Sequence, residues 1–201
     1  MTPTISLVVV AANSQELGEF GLQHVIPIVD ELILLSNPGG VFGGLGKIGN
    51  HYINHARGDV LGIVHADTVF GPGAIAVFAA AAIQGSVAGM HGRTIEGKNA
   101  FSQGRPAEVS TLDSCSVFFR RSSNLRFDDK TFDSFHCCVE DFCLEAGAKK
   151  CRIVVPQADA KHLSVRYNSK ETVWRSKYSE YRTRLNEKWK RVKFAACDIV
   201  N

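Results

Sequence analysis

Three short, unbroken apolar runs separated by helix-length stretches limit this chain to few architectures. They are Ile5-Ser6-Leu7-Val8-Val9-Val10, Glu31-Leu32-Ile33-Leu34-Leu35 and Val60-Leu61-Gly62-Ile63-Val64. A strand with one wet face alternates apolar and polar residues; these runs leave little room for a polar face. Both faces of each strand must therefore be covered, which is the situation of a mostly parallel sheet between helical layers. Segments that read as helices, about 16–25 and about 47–56, lie between the runs and supply those layers. The expected class is α/β. In such sheets ligands bind just beyond the carboxyl ends of the strands. Asn13, Ser36-Asn37 and His65-Ala66-Asp67 stand at those ends.

The remaining chain adds a less regular half. Ser86 to Met90 reads as a strand, Arg93 to Ala107 as a polar loop and Thr111 to Arg120 as a further strand. Phe135 to Ala146 reads as a helix, and Ile153-Val154-Val155 as a strand leading towards His162. Ala74 to Ile83, with Pro72 before it and Gly85 after it, reads as a buried helix; it is too short to span a bilayer. At the end, Trp174, Tyr178, Tyr181, Leu185 and Trp189 recur at spacings of three and four, the stripe of an amphipathic helix docked on the main body, with Lys and Arg on its outer face.

At 201 residues, with 45% hydrophobic and 21% charged residues, the chain suits one folded domain with a substantial core. The formal net charge of +3 argues against nucleic acid as a partner. The charge is uneven, however. Lys170 to Lys193 holds nine Lys or Arg against three Glu, or +6, which leaves −3 for the remainder. A basic helical end is compatible with a solvated face and equally with peripheral contact at an anionic membrane. The expected layout is a domain over 1–168 with a basic helical extension over 169–201. The six cysteines form no C-x-x-C pair and read as reduced core thiols. The run from Ile5 to Ala12 lacks the basic residues that precede a leader's apolar segment, so a cytoplasmic or membrane-peripheral location is expected.

Two local patterns bear on chemistry. Gly44-Leu45-Gly46-Lys47-Ile48-Gly49 has the G-x-G-x-x-G spacing, but loop residues separate it from the preceding strand, and no Walker sequence follows. It reads as a mobile glycine-rich connection. His65-x-Asp67 is more informative. Residues two apart on an extended segment point the same way, so the imidazole and the carboxylate can reach one point. Such a pair suits Mn²⁺ as well as Mg²⁺ when phosphate oxygens and water complete the shell.

Taken in order, Asn50, then Ala56-Arg57-Gly58-Asp59, then the apolar strand and His65-Ala66-Asp67 resemble the core of inverting GT-A glycosyltransferases of the family-two type, which carry N-x-x-x-x-x-A-x-G-D, a strand and D-x-D. The resemblance continues through Asp113-Ser114-Cys115-Ser116-Val117-Phe118-Phe119-Arg120-Arg121, Phe127-Asp128 with Phe132, Glu140-Asp141, Ala146-Gly147 and His162. It implies a GT-A, Rossmann-like nucleotide-diphospho-sugar transferase fold and transfer of a sugar from a nucleotide-sugar donor to a saccharide, lipid-linked or other hydroxyl acceptor. It also implies roles. Ala11, Asn13, Asn50, His65 and Asp67 would lie on the donor, and Asp113 and Glu140 on the acceptor side. Asp67 and His162, with His65, would hold Mn²⁺ or Mg²⁺, and Asp141 would be the general base. This chain has His65 where the family has the first carboxylate, Asp129 where it has Glu, and Ser36-Asn37 where an acidic residue follows the second strand. A metal-dependent hydrolase or nucleotidyltransferase built on the same cluster, or a non-catalytic nucleotide-sugar-binding module, are the alternatives.

Overall fold

Among the described residues seven strands form the central sheet. The structure, a computed structural model, describes residues 3–11, 29–37, 42–163 and 172–197, with the backbone path alone for 172–176. Asn13, the helix expected over 16–25 and the Trp174 side chain lie outside the described residues. The first three strands, β1 (Ile5–Ala11), β2 (Glu31–Ser36) and β3 (Val60–His65), are parallel neighbours with β1 in the middle. β10 (Ser116–Arg120) runs antiparallel to β3 and to the short β5 (Val87–Ala88). β11 (Ile153–Val155) then runs parallel to β5, and β8 (Ala107–Glu108) closes the edge antiparallel to β11. Five of the seven strands thus point one way, which is the mostly parallel sheet expected of the apolar runs.

Both faces of that sheet are covered at β1 and β3, whereas β2, at the sheet edge, is half-buried with Leu34 exposed, so the second apolar run is not the buried strand expected of it. Val8, Val10, Leu61 and Ile63 join the core that also receives α1 (Leu45–His55) and α3 (Cys138–Ala148). Leu7, Val9, Val60 and Val64 join the core on the other face, against α2 (Ala74–Ile83). Burial on two faces is the physical reason the strands read as continuous hydrophobic runs. Gly62 allows the tightest approach in β3, since a Cβ there would sit 2.5 Å from the Phe118 ring and 2.7 Å from Leu7.

Three local expectations change. The stretch from Arg93 to Ala107 is not all loop: β6 (His91–Arg93), β7 (Asn99–Phe101) and β9 (Thr111–Leu112) make a separate three-stranded sheet in the order β7-β6-β9. The strand expected over Thr111 to Arg120 is two strands broken at Asp113-Ser114-Cys115, where the Cys115 N–H donates to Asp113 Oδ1 at 2.8 Å. That side chain to backbone bond offers the chain a turn in place of the ladder. The glycine pattern, finally, is not a mobile connection. Gly44 precedes α1, and Gly46 and Gly49 lie inside it, where a Cβ on Gly49 would meet the Phe127 ring at 2.4 Å. The spacing serves close packing.

α4 (Thr172–Lys188) docks on the body through Tyr181 and Leu185, both buried, with Tyr178 and Trp189 packed beside them. The six cysteines are free, and all but Cys151 are buried. Among the described residues no helix is long and apolar enough to cross a membrane.

Candidate functional site

The carboxyl ends of β1 and β3 meet in register, with Val10 opposite His65. The ladder continues one step past β3, where the Ala66 N–H donates to Val10 O at 2.9 Å. Ala11 is buried at the same edge and accepts the Asn37 N–H at 2.8 Å. From the other side, the antiparallel β10 delivers the Asp113–Cys115 turn to this end of the sheet, and the His65 N–H donates to Cys115 O at 3.0 Å.

His162 arrives through a two-stranded ribbon. β4 (Thr68–Phe70) pairs antiparallel with β12 (Ala160–His162), placing His162 opposite Thr68, and the Leu163 N–H donates to Asp67 O at 2.9 Å. The His162 Nε2 consequently lies 3.0 Å from Asp67 Oδ1. One ligand atom each from His65, Asp67 and His162 lies within 4.8 Å of the others. A second group, Asp113, Cys115 and His162, meets the same criterion. Burial pushes the Cys115 thiol well above its ordinary pKa, however, so it stays protonated and is the poorer ligand.

Electrostatics separates the two imidazoles. Burial, and then the neighbouring His162, holds the His65 pKa below its usual value. Among the described residues its buried Nε2 has no hydrogen-bond partner, and its ring meets Phe135 edge-on at 6.4 Å. For His162 burial also acts downward, but the hydrogen bond and charge of Asp67 outweigh it and raise the pKa. A neutral imidazole, a carboxylate and an imidazole already drawn to that carboxylate form a donor set that fits a divalent cation. The orphaned His65 nitrogen is the observation that speaks for such a ligand rather than for a closed hydrogen-bond network.

Phe135 also brings the segment leading to α3 to the site, and α3 carries Glu140 and Asp141 in its first turn. Glu140 is buried, and burial pushes its carboxyl up to about 8, with the Asp113 charge acting in the same direction. Asp141, 1% exposed, is held by α4 and the residue after it. The Trp189 Nε1–H donates to Asp141 Oδ1 at 2.7 Å, and Lys188 Nζ lies 2.8 Å from Oδ1 and 3.0 Å from Oδ2. Lys188 also reaches Asp128 Oδ2 at 2.9 Å. Burial raises the Asp141 pKa, and the Lys188 and Trp189 bonds work against that rise.

The structure therefore brings His65, Asp67 and His162 into one cluster, with Asp113 beside His162 and Ala11 at the same end of the sheet, while Glu140 is linked to it through the charge of Asp113. Asn50 is placed differently. From α1 its amide clasps the segment after β10, donating to Phe127 O at 2.9 Å and Asp129 Oδ2 at 3.1 Å while its Oδ1 accepts the Phe127 N–H at 3.0 Å. Lys188 and Trp189 are neighbours of Asp141 that sequence reasoning missed. Lys188 faces the body, where the basic residues of this helix were expected to face outward. The available signal was its position three residues past Leu185, on the flank of the aromatic stripe. His91 was missed as well: its ring stacks on Phe101 at 4.5 Å and its Nδ1 lies 3.8 Å from Asp113 Oδ2.

No known family profile and no curated protein sequence matches the chain. Solved structures do. Residues 1–349 of TarS from S. aureus match with a TM-score of 0.53 at 15% identity, over 92% of this chain and 72% of that one. A197 from STIV matches with a TM-score of 0.54 at 16% identity, over 80% of this chain and 85% of that one. The TarS segment in complex with UDP-GlcNAc gives a TM-score of 0.47 at 14% identity, over 92% and 71%. With its strand order, its helices on both faces and this likeness, the chain has the GT-A fold of the nucleotide-sugar glycosyltransferases.

Proposed function

We propose that the chain is a cation-dependent glycosyltransferase that moves a sugar from a nucleotide-sugar donor to an acceptor hydroxyl with inversion. The observation that carries this reading is the convergence of His65, Asp67 and His162 from opposite halves of the chain at the carboxyl ends of β1 and β3. Asp67 and His162 would hold a divalent cation against the donor diphosphate. When bound, the cation would take up the negative charge that develops on the departing diphosphate. Asp141 serves as the general base. The acceptor oxygen forms its bond to the anomeric carbon as the bond from that carbon to the diphosphate breaks, and the hydroxyl proton passes to the carboxylate. Lys188 and Trp189 fix the Asp141 rotamer, and Lys188 favours its ionised form despite burial. Both Asp141 oxygens are engaged, so an acceptor hydroxyl must replace one of these contacts.

Glu140 is the second candidate for the base, favoured by its pKa near neutrality at about 8, which is where a general base works best. UDP-sugars are the first donors to test, because S. aureus TarS, whose segment shares the fold, has been crystallised with UDP-GlcNAc. The acceptor is a saccharide, lipid-linked or other hydroxyl compound; exposed Lys190, Arg191 and Lys193 beside the Asp141 clamp suit one that carries negative charge or sits at an anionic membrane. The test is incubation with Mn²⁺ and a panel of nucleotide-sugars, followed by nucleotide analysis. Release of nucleoside diphosphate that D141N abolishes supports the reading, and loss in E140Q alone moves the base to Glu140. Nucleoside monophosphate as the product would replace it with a hydrolase or nucleotidyltransferase, and absence of nucleotide-sugar binding would end it.

A further inference from the structure

We infer that His65 is a direct metal ligand and that the site it completes, two imidazoles and one carboxylate, selects Co²⁺ or Zn²⁺ over Mn²⁺ and strongly over Mg²⁺. The inference rests on the cation site of the proposed function, but it concerns which ion these side chains accept. Three observations support it. First, the donor atoms of His65, Asp67 and His162 lie within 4.8 Å of one another, and the 3.0 Å between His162 Nε2 and Asp67 Oδ1 already matches two ligands side by side on one ion. Ions bound at about 2.0–2.2 Å place adjacent ligands roughly 3–3.5 Å apart, so only His65 has to close in. Second, the buried His65 Nε2 has no hydrogen-bond partner among the described residues. A ring nitrogen without a partner can turn its lone pair to an ion, the other nitrogen carrying the N–H, with no hydrogen bond to break first.

Third, both imidazoles are held by strand register rather than by loops. His65 ends β3 with its N–H on Cys115 O, and His162 is fixed opposite Thr68 in the β4–β12 ribbon. Such a site does not rearrange easily to suit a different ion. Mg²⁺ requires near-octahedral oxygen ligation and keeps several waters. Here two of the three protein donors are nitrogen. Imidazole suits the later first-row ions, whose affinities rise from Mn²⁺ through Co²⁺. An aspartate at position 65 would give the oxygen-rich alternative.

The experiment is metal titration of the full chain after chelator treatment, without nucleotide, by calorimetry and by visible absorption of Co²⁺. The expected result is Co²⁺ and Zn²⁺ binding at least a hundredfold tighter than Mg²⁺, with Mn²⁺ between them. Visible cobalt bands should appear without a thiolate charge-transfer band. His65→Ala should weaken Co²⁺ and Zn²⁺ by tenfold or more and change Mg²⁺ by less than threefold, and His65→Asp should narrow the Co²⁺ to Mg²⁺ ratio by at least tenfold. His65→Gln, closer in volume, repeats the test should the alanine variant be unfolded by circular dichroism, and the wild-type ranking needs no variant at all. Mg²⁺ within tenfold of Co²⁺, an unchanged cobalt spectrum in both His65→Ala and His65→Gln, or a thiolate band assigning the ion to Cys115 would overturn the inference. The ranking found in a protein that binds no nucleotide-sugar would refute the glycosyltransferase reading and leave this one standing.

Discussion

Replacing Lys188 by Met should expose how the Asp141 carboxylate is kept in place. Methionine keeps most of the apolar stem but removes the ammonium, which lies over the Phe132 and Trp189 rings and between Asp141 and Asp128. Deleting one member of a fully buried ion pair costs about 3–5 kcal/mol, because the other charge stays behind without compensation. Two features reduce that here: the Lys188 side chain is 32% exposed, and the Trp189 N–H remains on Asp141 Oδ1 at 2.7 Å. We therefore expect a loss of about 2–3 kcal/mol at pH 8. The pH dependence is the sharper part. Burial already raises the folded-state pKa of Asp141, and removal of the lysine raises it further. A carboxyl raised in this way favours the folded state when protonated, and that advantage is lost as pH rises through the folded pKa. Asp128 acts in the same sense. With its pKa lowered to about 2, its stabilisation by Lys188 disappears only as pH falls from about 4 towards 2, so between pH 4.5 and 8 it is constant and the change reports on Asp141. The gap between K188M and wild type must therefore widen with pH. Urea unfolding at pH 4.5, 6 and 8 of wild type, K188M, D141N and the double variant measures it, with a coupling of about 1–2 kcal/mol expected at pH 8. A gap below about 0.5 kcal/mol, or one equal at all three pH values, would refute the reasoning.

Gly49→Ala should destabilise by about 1–2 kcal/mol despite the better helix propensity of alanine, because its Cβ would enter the Phe127 ring that stacks on Phe142 at 4.2 Å; thermal unfolding checks this. Glu140→Gln should stabilise the protein above pH 8 by on the order of 2 kcal/mol. The wild-type carboxyl, raised to about 8 by burial, favours folding below its unfolded pKa and loses that contribution as pH rises through about 8. Denaturation curves at pH 5 and pH 9 should show the variant's advantage only at the higher value. Asp67→Ala and His162→Ala should each weaken Mn²⁺-dependent binding of a nucleoside diphosphate by at least about tenfold. In wild type that binding should strengthen as pH rises through the raised His162 pKa, since the ion must displace the proton shared with Asp67. Calorimetry at pH 6 and pH 8 tests both statements.

The legible part of this molecule is the part whose pattern has one physical explanation. Strands buried on both faces can only read as continuous apolar runs, so β1 and β3 and the carboxyl end of their sheet follow from residues 5–10 and 60–64, while β2 is found from an equally apolar run but lies half-buried at the sheet edge. In the second half β5, β8 and β9 are two residues long, too short for any period to appear. The break between β9 and β10 depends on a single Asp113 side chain bond. The candidate site divides along the same line. His65 and Asp67 share a strand end, so their convergence is local and readable. His162 joins them only through the β4–β12 register, and its sequence signal was family resemblance alone. Lys188 is the clearest case of missing information. Its charge and helical setting are plain in the sequence, and they suggest solvent. Its actual direction depends on Tyr181, Leu185 and Trp189 seating α4 against the core, which turns the next side chain towards two carboxylates. A cation beside an aromatic stripe can thus be drawn inward whenever the surface under the stripe carries buried acids, and Asp141 is such an acid.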